Sequence, residues 1–291
     1  MMEQSKRRWS ACTVKEVEET KKAICRIPVC LSLIMLGVVA SLGDTYFQEQ
    51  ASTMNNKVGS YSVPLVVLQL WYKLSRATLG RLYLKTVKRL SSHSDNNMNN
   101  NINSTNTNKL VMISSISYAG CAGIPISMIF TVLCCSVAAI VEKNRLDDFY
   151  RKGLDSTTEK VGMSMFWLLP QYLLLGASDG ILDKSVGLLF HDQIPTRSDR
   201  FMPLFCSGIV GLGALANVLS VFAASKISDS RDDGTSWFGD TLNDSRIDSY
   251  YWLLTALSSA NLIYFTILYF CTSLRSELRE SDQTMDHMEP S

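Results

Sequence analysis

The sequence predicts an all-α integral membrane protein, and three observations carry that prediction. Hydrophobic residues make up 46% of the 291-residue chain but are gathered into blocks rather than spread along it. Several blocks approach the ~20 residues that an α-helix, rising about 1.5 Å per residue, needs to cross a hydrocarbon core about 30 Å thick. The charges between the blocks sort by side, as they do in multi-pass proteins.

Residues 1–26 form a polar segment carrying Lys6, Arg7, Arg8, Lys21, Lys22 and Arg26, without the early apolar stretch of a signal peptide. It is expected in the cytosol. The bundle proper is expected over 27–273. Its first span is 27–43 (IPVCLSLIMLGVVASLG); the second, 62–84, is the weakest because Lys73 and Arg76 lie near its middle. The tract 91–108, with its run DNNMNNNINSTNTN, has nothing apolar to bury and is expected to be a disordered loop. Residues 111–141 contain no charge at all and hold Pro125, which suggests a tilted or kinked helix. A charged connection is expected at 142–160. Three further spans follow at 161–182, 203–224 and 250–270, making six, and residues 274–291 are expected as a cytosolic tail.

An even number of spans puts both termini on one side. The 85–109 connection then faces the cytosol and carries Lys85, Lys88, Arg89 and Lys109 against Asp95. The 226–248 connection faces out and carries three basic residues against six aspartates. That asymmetry supports cytoplasmic termini. Tyr250, Tyr251, Trp252, Trp237 and Phe238 suit an outer interfacial belt. Glycosylation sequons occur at Asn103 and Asn243, of which only the second lies on the outer side in this topology.

A net charge of +1 gives no field that would attract nucleic acid. Of the eight cysteines, Cys30, Cys121, Cys134, Cys135, Cys206 and Cys271 lie in or beside apolar blocks and none forms a C-x-x-C pair, so they read as small buried hydrophobes. The three histidines stand apart, and no metal or other cofactor is expected. With no G-x-x-x-x-G-K-[ST] and no G-x-S-x-G, the sequence does not read as an enzyme.

The chemistry-bearing candidates are charges inside the apolar blocks. Asp179 lies within the fourth span, where a carboxyl is costly unless paired, hydrated or neutral. Its protonation can therefore follow the opening and closing of a cavity, which a proton or substrate relay requires. Asp183 lies four residues on with Lys184 beside it, and these two read as a local ion pair. Lys73 and Arg76, three residues apart, share a face of the second span. Each costs about 2.5–3.5 kcal/mol at a helix centre. Three readings stay open for them: they line a cavity, binding an anion or pairing with Asp179; they snorkel from a shifted helix; or the span does not insert.

An ordered series of strings gives these blocks a family. They are Trp9 with CTVKEVEE (12–19), FQEQASTMN (47–55), VEKNRL (141–146), WLLPQYLLLGASD (167–179), DQIP (192–195), SWFGDTLN (236–243) and YYWLL (250–254). Over residues 9–273 the chain resembles the plant nitrate and peptide transporter family, the proton-dependent oligopeptide-transporter branch of the major facilitator superfamily. In that family these strings belong to helices seven to twelve of twelve. The resemblance thus implies the six-helix C-terminal bundle of an alternating-access transporter whose N-terminal half is absent from this chain.

Several site expectations rest on that likeness. Asp179 matches an acidic position, often glutamate, of the tenth helix that contacts substrate or counter-charge. Gln50 matches a polar residue near the outer gate, and an ordinary solvated glutamine is the competing reading. Gln171 and Tyr172 match the W-x-x-P-Q-Y string, where packing competes with substrate contact and Pro170 suggests a kink. The family's second-span position is apolar where this chain has Lys73 and Arg76. The E-x-x-E of the family's first helix has no counterpart except a chance near-match at Glu16–Glu19. The implied partners are a small-molecule or anionic substrate, protons, the lipid bilayer and a missing N-terminal half. The implied function is proton-coupled transport of nitrate, di- or tripeptides or related organic ions across the plasma or vacuolar membrane. The alternative is a truncated, non-transporting membrane protein or regulatory remnant.

The topology makes a direct prediction. With single cysteines placed at Ser230 and Asn97, an impermeant thiol reagent added from outside should label Ser230→Cys only; labelling of Asn97→Cys would invert the assignment.

Overall fold

The computed structural model describes residues 28, 31–98, 105–153, 160–191, 202–229, 237–239 and 241–286. Helix α1 (31–42) ends in a turn in which the N–H groups of Gly43, Asp44 and Thr45 donate to the carbonyls of Ala40, Ser41 and Leu42. The chain re-enters a helix at once as α2 (Tyr46–Thr53). Short strands follow, β1 (Met54–Asn55), β2 (Lys57–Val58) and β3 (Tyr61–Ser62), and then α3 (Val66–Met98) and α4 (Thr105–Lys152). Strand β4 (Val161–Ser164) and a 3-10 turn (Met165–Leu168) lead into α5 (Leu169–His191), with α6 (Met202–Asp229) and α7 (Ile247–Asp286) completing the order. Strand β1 pairs in parallel with β4, and β2 with β3 as a hairpin. The strands, α2 and the turn before α7 thus gather at one end of the bundle.

Among the described residues, four segments are long and apolar enough to cross a membrane: Leu31–Thr53, Ala122–Lys152, Cys206–Ser228 and Ile247–Cys271. Helices α3 and α5 match them in length but carry Lys73, Arg76 and Arg81, and Asp179, Asp183 and Lys184, respectively. The all-α membrane fold is therefore as the sequence predicts. The outer surface agrees: on α6, Leu204, Leu215, Val218, Leu219 and Phe222 are each exposed by 64% or more. A row of large apolar side chains facing outward suits lipid rather than water.

Inside, α5 packs against α3 and α4, and α4 also against α7. Helices α1 and α6 meet where Gly37 faces Gly213; a Cβ on either would strike the other's backbone. Two apolar clusters fill the interior. One, at the strand-bearing end, includes Leu42, Phe47, Met54, Tyr172, Tyr250 and Tyr251, with the Phe47 ring edge-on to Tyr172 at 5.7 Å and Tyr251 at 5.8 Å. The other, toward the opposite end, includes Leu33, Leu36, Ile124, Met128, Leu182 and Phe265.

The strand-bearing end is closed by a fully buried ion pair. Arg145 and Glu142 on α4 are 0% and 1% exposed and meet side by side, Nε donating to Oε2 at 2.9 Å and Nη2 to Oε1 at 2.7 Å. The remaining guanidinium hydrogens reach outward: Nη1 donates to Asn243 Oδ1 at 2.6 Å and to Thr53 Oγ1 at 3.3 Å, and Nη2 to the Leu242 carbonyl at 3.3 Å. One side chain ties α4 to the end of α2 and to the turn before α7.

Several expectations are corrected here. The connection expected at 142–160 is helical as far as Lys152, because the Glu142–Arg145 pair lets α4 continue into the protein until Gly153, at φ +59°, ends it. Residues 91–98 of the expected loop prolong α3, and 105–108 open α4, since adding a residue to an existing helix is easier than starting one. Helix α7 runs to Asp286, so the segment expected as the tail is helical over its first part. Pro170 is the second residue of α5, where its missing N–H costs nothing. The helix expected at 111–141 is part of α4, with Pro125 inside it. The side chain of Asn243, in the sequon on the expected outer side, is 4% exposed and accepts from Arg145. Cys134, Cys135 and Cys206 are buried as expected, whereas Cys271 is exposed. The segment 1–26, Cys30 and the Asn103 sequon lie outside the described residues, and the side chain of Cys121 does too.

Removing one partner of a buried pair leaves the other charge uncompensated, at a cost of about 3–5 kcal/mol. Arg145→Met should therefore lower the thermal midpoint of the purified chain in detergent sharply. The double change Arg145→Met/Glu142→Leu should recover a large part of that loss, which a thermal unfolding series will read directly.

Candidate functional site

The polar residues of the membrane interior collect where α3 meets α5. The approach is set by glycine. A Cβ on Gly176 would lie 2.8 Å from the Tyr72 carbonyl, and one on Gly80 would lie 2.8 Å from the Gly180 carbonyl. Gly180 itself sits against the Arg76 backbone. With backbones this close, the side chain between the two α5 glycines, Asp179, is carried to α3.

There it meets a residue that sequence reasoning did not single out. Tyr72 donates its hydroxyl to Asp179 Oδ2 at 2.5 Å. Arg76, one turn beyond Tyr72, carries a charge close enough to act on both. The hydrogen bond to Asp179 thus comes from a neutral phenol rather than from Lys73 or Arg76. The geometry explains the choice: at about 100° per residue, Arg76 follows Tyr72 by four positions and falls beside it, whereas Lys73 is turned away. Lys73 and Arg76 are both exposed, and Lys73 has no ion-pair partner among the described residues. The available signal was the i, i+4 spacing of Tyr72 and Arg76.

On the other flank of Asp179, α5 meets α4 through hydroxyls. Ser178 Oγ donates to the Ser127 carbonyl at 3.0 Å and lies 2.8 Å from Thr131 Oγ1. Such contacts hold apolar helices in register where no hydrophobic force acts between them. Asp183 and Lys184 form the exposed local pair that their adjacency suggests, at 2.9 Å.

Gln50, Gln171 and Tyr172 form a second polar group nearer the strand-bearing end. Gln50 and Gln171 are 1% and 0% exposed, so Gln50 is no solvated loop residue. Gln171 Nε2 donates to Gln50 Oε1 at 3.3 Å, and Tyr172 donates to the Gly43 carbonyl at 3.1 Å. These bonds clamp α5 to α2 and to the turn before it. Trp167, from the same string, is 58% exposed.

Asp179, Tyr72 and Arg76 therefore bring together a carboxyl, a phenol and a guanidinium, and the glutamine pair belongs to a separate cluster. A group of the first kind, held between helices, can take up a proton or an anion. Among the described residues no three His, Cys, Asp or Glu side chains gather to hold a metal ion.

A family model described as the POT family matches residues 1–91. The chain is 36% identical over 285 residues to Protein NRT1/ PTR FAMILY 5.5 of Arabidopsis thaliana, covering 97% of this chain and 50% of that protein. The chain belongs to the POT family. To Arabidopsis NRT1/ PTR FAMILY 5.12 it is 32% identical over 271 residues, covering 90% of this chain and 44% of that protein. To NRT1/ PTR FAMILY 5.6 it is 30% identical over 264 residues, covering 89% and 41%. The chain thus spans about half the length of the curated POT-family relatives it matches. Family membership and the four apolar helices make it a multi-pass membrane protein.

The glycine contact is open to test. Gly176→Leu inserts a side chain where helix backbones touch and should destabilise the bundle by about 1–3 kcal/mol. Gly187→Leu, on the same helix with open space around it, should leave thermal stability in detergent nearly unchanged.

Proposed function

We propose that the chain is the C-terminal half of a proton-coupled secondary transporter for small solutes such as nitrate, di- or tripeptides or related organic ions. In this reading it is a six-span bundle with both termini in the cytoplasm of a plasma- or vacuolar-membrane protein. The observation that carries the proposal is Asp179: a carboxyl within α5, hydrogen-bonded across the helix contact by Tyr72 and standing in the field of Arg76. A carboxyl so placed binds a proton or a cationic partner according to how much water reaches it.

Alternating access sets one bundle rocking against another around a midplane site. The exposed flank of α3, with Lys73 and Arg76, then faces the cavity that an N-terminal bundle would complete. Gln50, Gln171 and Tyr172 position the wall of that cavity, and small-molecule substrate and proton meet between the halves. One feature favours the second reading, a non-transporting remnant: Lys73 stands near the middle of α3 without an ion-pair partner among the described residues.

One experiment separates the two. The chain alone, in liposomes with an imposed pH gradient, should take up neither nitrate nor dipeptide. Fused behind the first half of the Arabidopsis 5.5 relative, it should accumulate substrate, and Asp179→Asn in that fusion should abolish accumulation at equal membrane expression. Uptake by the chain alone would refute the half-transporter reading. A fusion that inserts normally yet transports nothing would favour the remnant, and undiminished accumulation by Asp179→Asn would remove this carboxyl from the mechanism.

A further inference from the structure

Helix α3 changes character along its length. Between Val66 and Leu90 it carries six basic residues and no acidic one. Four of them, Arg81, Lys85, Lys88 and Arg89, fall within nine positions, all are exposed, and none forms an ion pair among the described residues. Arg81, Lys85 and Lys88 are spaced i, i+4, i+7 and lie along one face, with Arg89 on its flank. Leu82, exposed by 56%, lies between them, and Leu90, exposed by 72%, follows them.

The depth of this patch follows from helix geometry. Measured from Val66 at about 1.5 Å per residue, Arg81 lies about 22 Å along the axis and Arg89 about 35 Å. A hydrocarbon core about 30 Å thick therefore brings Lys85, Lys88 and Arg89 to the opposite headgroup layer, with Arg81 about 8 Å below it, within reach of a snorkelling side chain. This is the end of the bundle at which α1 begins and α7 ends. The strand-bearing end is different: its described charges are of both signs, and several are already paired, Arg145 with Glu142 and Lys152 with Asp148.

We propose that Arg81, Lys85, Lys88 and Arg89 form a binding site for the headgroups of anionic phospholipids. Long basic side chains lay their methylene stems along apolar surface and raise their charges to the interface. Exposed Leu82, about 24 Å along the axis, meets acyl chains beneath the phosphates, an arrangement that a soluble polyanion would not reward. A juxtamembrane cluster of this size gains roughly 1 kcal/mol per basic residue from an anionic leaflet. The proposal concerns attachment to lipid and does not depend on whether the chain transports.

The test uses the full chain purified in neutral detergent and titrated with fluorescently labelled phosphatidylserine or phosphatidylcholine. Phosphatidylserine should bind at least about tenfold more tightly. The difference should collapse between low salt and 1 M salt, as screening shortens. Arg81→Gln/Lys85→Gln/Lys88→Gln/Arg89→Gln should equalise the two lipids, while Lys143→Gln/Arg151→Gln, at the other end, should leave the preference intact. The milder Lys85→Gln/Lys88→Gln should lose part of it, which covers the case in which the fourfold variant does not fold. Equal binding of both lipids by the native chain, or a folded fourfold variant that still prefers phosphatidylserine, would overturn the proposal.

Discussion

The guanidinium of Arg145 is the constraint from which the strand-bearing end is built. A cation removed from water must have every hydrogen directed at an acceptor, and Arg145 satisfies this with Glu142, Asn243, Thr53 and the Leu242 carbonyl. Those acceptors belong to α4, to the end of α2 and to the turn leading into α7. Burying one charge therefore fixes three parts of the chain relative to each other. The pairing of β1 with β4 and the aromatic contacts of Phe47 with Tyr172 and Tyr251 then pack around a frame already set.

The middle of the bundle obeys a different rule. Between apolar helices in lipid, close association depends on van der Waals contact and hydrogen bonds rather than on expulsion of water. Glycines at 80, 176 and 180 supply the first, and Ser178 with Ser127 and Thr131 the second. Asp179 sits between these two devices. Its partner is fixed by backbone proximity as much as by charge, which is why a phenol on the touching face of α3 reaches it while Lys73 does not.

The two ends of the bundle thus use charge in opposite ways. At the strand-bearing end the Arg145–Glu142 charges are turned inward and paired; at the other, basic residues are displayed along α3, which carries no acidic residue between Val66 and Leu90. Between them α6 shows apolar side chains to its surroundings. A protein held across a bilayer needs this gradient, because only the middle is free of water.

Much of this was legible in the residues themselves. Block length and composition define apolar helices wherever they occur, so the all-α membrane fold followed from the sequence, as did the isolation of Asp179 in an apolar segment. The ordered strings pointed to the family, and VEKNRL was among them, yet nothing in it said that Glu142 and Arg145 are buried: as sequence, charges near a span's end read as a solvated connection. Only the tertiary structure decided that, and with it the fate of Asn243, the burial of Gln50 and the choice of Tyr72 as the partner of Asp179. The physical reason is common to all four. Hydrophobic periodicity is a property of a segment and its solvent, whereas the partner of a polar atom depends on which other segment comes within about 3 Å of it, and that distance is set by packing of the whole bundle.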